Sequence, residues 1–356
     1  MTNLMNTPSA APETRATRGR SEGDVAGATP PAGMKNKKRK IAALVTLLVI
    51  LALLFVWYLV NRKPLSALPG LGDTTMPHYQ SSVYGVAKPI GVAVTASGDR
   101  VYITSSGGDR FVKAFGRDGK LVGTLKPPKA TGANHLPMYV AINPTTQNVY
   151  VSDRQTSAIY VYDADGKYLN TFAPKGNLDG KFAPLGLAFG PDGTMYVTDI
   201  RGADSKTHRV VVFGADGTLL RTLGTPGQLS FPNGIAVDAR GNVDVADSNN
   251  GRLVIFNPAG KMLATISPGI GEGDLGMPRG VAVDDSGRLL VVDTADHMIR
   301  IYSADKSKPT PTYVGSFGTE GQLDGTFEYP NGVATDKRAH VYITDRENNR
   351  VQVWGY

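Results

Sequence analysis

The sequence predicts an all-β fold, a six-bladed β-propeller of four-stranded antiparallel blades, preceded by a single transmembrane helix. Three observations carry that prediction. One short pattern recurs six times from Pro89 onward, the copies show no 3.6-residue apolar period, and twenty uncharged residues stand near the N-terminus. The recurrence is plainest in "FPNGIAVDARGNVDVADSNNGRLVIF" from Phe231, "MPRGVAVDDSGRLLVVDTADHMIRIY" from Met277 and "YPNGVATDKRAHVYITDRENNRVQVW" from Tyr329. Aligned on the opening proline, the copies begin at Pro89, Pro137, Pro184, Pro232, Pro278 and Pro330, spaced 48, 47, 48, 46 and 52 residues apart. Each reads as a strand such as "GVAV", a tight polar turn, a second strand such as "VYIT", a longer loop, a third such as "RLVIF", and a turn into a fourth. Four strands per unit at that period is the pattern of propeller blades.

The last copy holds only three strands before Tyr356. "HYQSSVYG", His78 to Gly85, resembles the fourth strands "KYLNTFAP" and "TYVGSFGT". It is therefore expected to complete the final blade and close the ring, which removes the sheet edges an open array would expose.

The copies resemble NHL repeats, whose Pro-x-Gly-(Val/Ile)-Ala start is joined to an Asp-x-x-Asn-x-Arg loop. "DSNNGR" (Asp247, Asn250, Arg252) and "DRENNR" (Asp345, Asn348, Arg350) match that loop. Ser105 replaces the aspartate in the first copy, Tyr139 replaces the opening glycine in the second, and the third has a lengthened loop, "DIRGADSKTHR". The resemblance covers residues 80–356 and implies a propeller that binds a protein or small ligand. Enzymatic propellers similar to it, amidating lyases and gluconolactonases, imply an alternative metal-dependent chemistry. Of the five histidines none follows an opening proline; His135, His208 and His297 fall on loops of one face.

Ile41 to Val60, "IAALVTLLVILALLFVWYLV", carries no charge, and as a helix it would span about 30 Å, the thickness of a bilayer core. "KNKKRK" precedes it and only Arg62 and Lys63 follow closely. The positive-inside bias therefore predicts a cytoplasmic N-terminus and an extracytoplasmic propeller, with Trp57 and Tyr58 at the outer interface. Residues 1–40 are poor in large apolar groups and are expected to be a disordered basic tail. Residues 61–79, rich in Pro and Gly, are expected to be a linker. The formal charge of +7 belongs mostly to the tail, where eight basic residues face three acidic ones. Residues 80–356 are near balance, so no nucleic-acid partner is expected. The chain has no cysteine, which excludes disulfides and thiolate chemistry.

Asp153, Asp199, Asp247, Asp293 and Asp345 each end a second strand, where a carboxylate caps backbone N–H groups; they are read as structural. Tyr102, Tyr150, Tyr196 and Tyr342 are read as packing between blades. Asp244 occupies the same slot and is expected to be hydrogen-bonded or partly wet. In such a blade the fourth-to-first and second-to-third loops share one face, and here they are the long, varied ones. The residue after each opening proline should line the channel mouth on that face: Ile90, Met138, Leu185, Asn233, Arg279 and Asn331. One apolar half and one polar half suit a ligand with an apolar side and a carboxylate or carbonyl. No cofactor, metal site or catalytic residue is expected.

Overall fold

The structure is a computed structural model and describes residues 40–53, 76–129, 131–202, 204–303 and 310–356. Residues 40–53 are helical, with Thr46 satisfying its hydroxyl on the carbonyl of Ala42 at 3.0 Å. No helix among the described residues is long and apolar enough to cross a membrane. Residues 54–60 of the expected span, the tail before Lys40 and the linker up to residue 75 lie outside the described residues.

From His78 the chain forms six four-stranded antiparallel sheets. Blades 1 to 5 run in sequence order and cover residues 89–125, 137–171, 184–223, 232–266 and 278–317. Blade 6 takes Pro330–Thr335, His340–Asp345 and Arg350–Gly355 from the C-terminus and His78–Val83 from the N-terminus. His78 pairs with Gly355 and Val83 with Val351, so the ring closes by the N-terminal strand as the sequence predicts.

The apolar core lies between blades, because both faces of each inner sheet are covered. Val101, Ile103 and Phe115 of blade 1 pack with Tyr342, Val351 and Val353 of blade 6. The second-strand tyrosines do the same: Tyr102 packs among blade 2 residues and donates its hydroxyl to the Ala164 carbonyl at 2.7 Å. The inner strands approach at backbone distance, which explains the glycine of the motif. A Cβ on Gly234 would lie 2.3 Å from the Arg279 carbonyl oxygen, closer than any real contact. Blade 2 alone carries a side chain there. Tyr139 is buried and reaches across the ring to donate to Asn331 Oδ1 at 3.3 Å, so it plugs the channel below the mouth.

Hydroxyls on the second strands tie neighbours together. Thr104 accepts the Gly91 N–H at 2.7 Å and donates to the Met138 carbonyl of the next blade at 2.7 Å. Thr198 and Thr344 repeat this towards Asn233 and Ile90, and Ser152 towards Leu185. Blades 4 and 5 have Ala246 and Val292 at that position. There the hydroxyls of Ser248 and Thr294, two residues further on, donate to the carbonyls of Pro278 and Pro330 instead.

Candidate functional site

The face of long loops carries a cavity of about 700 Å³ over the channel, open to solvent. Four of the six expected mouth residues line it: Ile90, Met138, Arg279 and Asn331. Two do not. Leu185 is fully buried, because Phe231 and Ile200 cover it in one apolar cluster with Met138. Asn233 turns inward, its amide donating to the Phe231 carbonyl at 3.2 Å and to Ser248 Oγ at 2.8 Å. The mouth is therefore displaced from the ring axis and built by blades 5, 6, 1 and 2.

Loop residues complete it, and most of these escaped the sequence reading. Lys88, Arg154 and Arg346 join Arg279, so four cations line the cavity and no aspartate or glutamate does. Glu347 lies just outside and pairs with two of them, Lys88 at 3.3 Å and Arg346 at 2.6 Å. Arg154 and Arg279 have no carboxylate partner among the described residues. Arg154 lies over the Phe231 ring, 5.2 Å from its centroid. Arg279 touches Met277 Sδ at 3.6 Å, while its Nε is buried without a hydrogen-bond partner. Burial pushes the Tyr139 hydroxyl beneath it up from the ordinary tyrosine value, and the Arg279 charge pulls the other way. The near-balanced charge of residues 80–356 thus hides a local cation cluster, so it does not exclude an anionic or nucleic-acid partner. A signal was available: Lys88 directly precedes an opening proline, and Arg154 and Arg346 directly follow the strand-end aspartates.

The strand-end aspartates hold the rim in place. Asp345 accepts the Glu328 N–H at 2.7 Å, Asn348 Nδ2, Arg350 Nε at 2.7 Å and Gln352 Nε2 at 2.9 Å. Asp247 binds the Ser230 N–H, Asn250 and Arg252 in the same way. Asp293 takes the Gly276 and Met277 N–H groups with Arg300. Asp199 takes the Ala183 N–H and Arg209; burial still raises its pKa above the ordinary value. Asp153 takes the Leu136 N–H and His135, at 3.1 and 3.0 Å.

The three loop histidines do not come together. His135 is bound to Asp153, His208 Nδ1 accepts the Phe231 N–H at 2.9 Å, and His297 Nδ1 accepts the Tyr329 N–H at 3.2 Å. Phe231 and Tyr329 both precede proline with φ near 51°, a left-handed conformation that costs on the order of 1–3 kcal/mol. Their histidine partners help hold that geometry, which sets Tyr329 on the rim. Among the described residues no three His, Cys, Asp or Glu side chains form a group that could hold a metal ion. Asp244 departs from expectation: it is buried, and its Oδ2 has no hydrogen-bond partner. Burial, reinforced by the nearby Asp238, raises its pKa well above the ordinary value and outweighs the Arg240 charge.

The architecture is a six-bladed β-propeller, and part of the chain carries NHL repeats. The NHL repeat model matches residues 229–256, 275–302 and 327–354, which fall on blades 4, 5 and 6. "E3 ubiquitin-protein ligase TRIM71" of Bos taurus is 45% identical over 49 residues, 12% of this chain and 6% of the relative. The chain thus spans only a small part of the curated relatives it matches. Among solved structures, "Streptogramin B lyase structure" aligns over 80% of this chain and 99% of its own, with TM-score 0.56 and 13% identity. A chain of "Crystal structure of Nidogen/Laminin Complex" aligns over 69% of this chain and 84% of its own, with TM-score 0.53 and 20% identity. At such identities these likenesses show the fold alone.

Proposed function

We propose that this protein is a non-catalytic binding module, anchored in a membrane by residues 41–60, which presents its propeller on the extracytoplasmic side and receives a protein or small ligand at the mouth. The observation that carries this reading is the open 700 Å³ cavity on the long-loop face, held on a rigid scaffold by the strand-end aspartates. A short stretch of this chain is similar to part of a relative named as a ubiquitin-protein ligase, and a similar fold occurs in a complex of two proteins. A metal-dependent lyase or lactone hydrolase would need carboxylate or histidine ligands facing its substrate. This mouth offers four cations and one histidine, His297, whose Nδ1 is engaged by the Tyr329 N–H, and cations repel a metal. The charge-free run at 41–60 and the basic cluster before it support the anchor and the orientation.

The test uses single cysteines in the intact, cysteine-free chain. Ile270, on a long loop, is fully exposed, and Ser286 lies in a tight turn of the opposite face. A membrane-impermeant thiol reagent should label Ile270→Cys in intact cells. A photo-crosslinker at Met277, on the mouth, should capture a partner that one at Ser286 does not. Labelling only after lysis would overturn the topology, and equal capture from both positions would overturn the mouth as the contact site.

A further inference from the structure

Four cations surround one cavity, and no carboxylate lines it. We infer that the mouth is an oxyanion site: it takes a compact, doubly charged group, a phosphate monoester or a dicarboxylate, carried on an apolar body. The inference rests on the mouth being the binding site and names the class of ligand it takes.

The charge arithmetic points to a small dianion. Glu347 partly neutralises Lys88 and Arg346, so the cations without a carboxylate partner are Arg154 and Arg279. Guanidinium groups match carboxylate and phosphate oxygens with paired N–H donors, where an ammonium gives only a point charge. Arg279 is held ready for this, because its Nε is buried without a partner and its guanidinium Nη2 touches Met277 Sδ at 3.6 Å. Arg154 is fixed over the Phe231 ring. Two guanidinium groups set on rigid supports lose little entropy when an anion arrives.

The other walls supply the apolar contact. Ile90, Leu136, Met138 and Met277 line the same cavity, and its volume lies within the range of small-ligand sites, roughly 300–1,000 Å³. The loops beyond the mouth on this face are mixed in charge: Asp109, Glu272, Asp296, Glu320 and Glu347 alternate with Arg110, Lys126, Lys175, Lys181 and Lys206, so a nucleic-acid strand crossing the face would meet both signs. A compact anion inside the mouth meets the four cations and no carboxylate in its lining.

The test is calorimetric titration of the full chain in detergent with defined probes: inorganic phosphate, phenyl phosphate, phenylsuccinate, benzyl alcohol and a single-stranded oligoribonucleotide. Phenyl phosphate or phenylsuccinate should bind one to one and more tightly than inorganic phosphate, which leaves the apolar wall uncovered. Binding should weaken at least tenfold in R279M and, independently, in R154M, and stay unchanged in R117M, a cation exposed on the opposite face. The two sources separate by pH. Phosphate-ester binding should strengthen as the second phosphate proton leaves near pH ~6, whereas dicarboxylate binding should be flat from pH 6 to 8. Absence of saturable binding by every anion, or affinities unchanged in both R279M and R154M, would overturn the inference. So would tighter, Arg279-dependent binding of the oligoribonucleotide. Benzyl alcohol binding where the anions do not would overturn it too, yet leave the mouth standing as a binding site.

Discussion

Blades 4 to 6 and blades 1 to 3 reach the same architecture with different residues. In blades 4 and 6 the strand-end aspartate is served by the Asn and Arg of the repeat motif, Asn250 and Arg252 for Asp247, Asn348 and Arg350 for Asp345. In blade 5 Arg300, seven residues on from Asp293, does this work. Blade 3 brings Arg209 back to Asp199 from beyond a lengthened loop, and blade 2 substitutes His135, eighteen residues upstream of Asp153. Blade 1 has no carboxylate at this position: Ser105 Oγ is buried without a partner, and the rim is held by Ser106 donating to the Lys88 carbonyl at 2.7 Å. What repeats in space is an acceptor or donor that ties the loop before each blade to the end of its second strand. The sequence motif is one way to build that tie; the repeat model matches blades 4, 5 and 6, and only blades 4 and 6 of these carry the motif.

The two halves meet at blade 6, and breaking that seam should have the largest effect. A chain lacking residues 1–70 should remain folded, and one lacking residues 1–86 should aggregate. The longer deletion removes the strand paired with Arg350–Gly355 and exposes the edge it covers. Circular dichroism and size-exclusion chromatography would decide this, and equal stability of the two would refute closure by the N-terminal strand.

A smaller effect separates the ties themselves. Asp345→Ala removes the acceptor from buried Arg350 and Gln352 together and should destabilise by about 3–5 kcal/mol, the range for breaking a buried pair on one side. Ser105→Ala removes a hydroxyl with no partner and should change stability by less than about 1 kcal/mol. Urea unfolding measures both, and similar losses would show that the blade 1 rim depends on Ser105 after all.

The smallest shift concerns Asp244, where the better-matched half carries the stranger residue. Its folded-state pKa lies above the ordinary aspartate value, so the folded chain retains a proton that the unfolded chain gives up. The stability this group contributes is full below about pH 3.9 and is lost as pH rises through the folded value. Asp244→Asn keeps the shape without the proton. It should match the parent near pH 4 and become the more stable of the two as pH rises towards 8, seen as diverging melting temperatures. Parallel curves would mean that Asp244 does not titrate across that window.

The sequence by itself determined the ring. Proline spacing counted the blades, the incomplete last copy and its match at His78 predicted the closure, and the motif aspartates were legible as caps because their chemistry is local to a turn. The glycine after five of the six mouth residues was legible as a pattern; only the structure gave its reason, the neighbouring carbonyl at 2.3 Å from where a Cβ would stand on Gly234. The mouth was half legible. Ile90, Met138, Arg279 and Asn331 line it because position after the proline fixes where a backbone points. Leu185 and Asn233 fail because Phe231, from the neighbouring blade's entry loop, covers the one and Ser248, from a loop of its own blade, captures the other, contacts that spacing does not encode. Lys88, Arg154 and Arg346 come from different loops of three blades and meet only when the ring closes, so a charge count along the chain spreads out what the fold gathers at one point. Local periodicity decided the scaffold, and closure of the ring decided the electrostatics of its mouth.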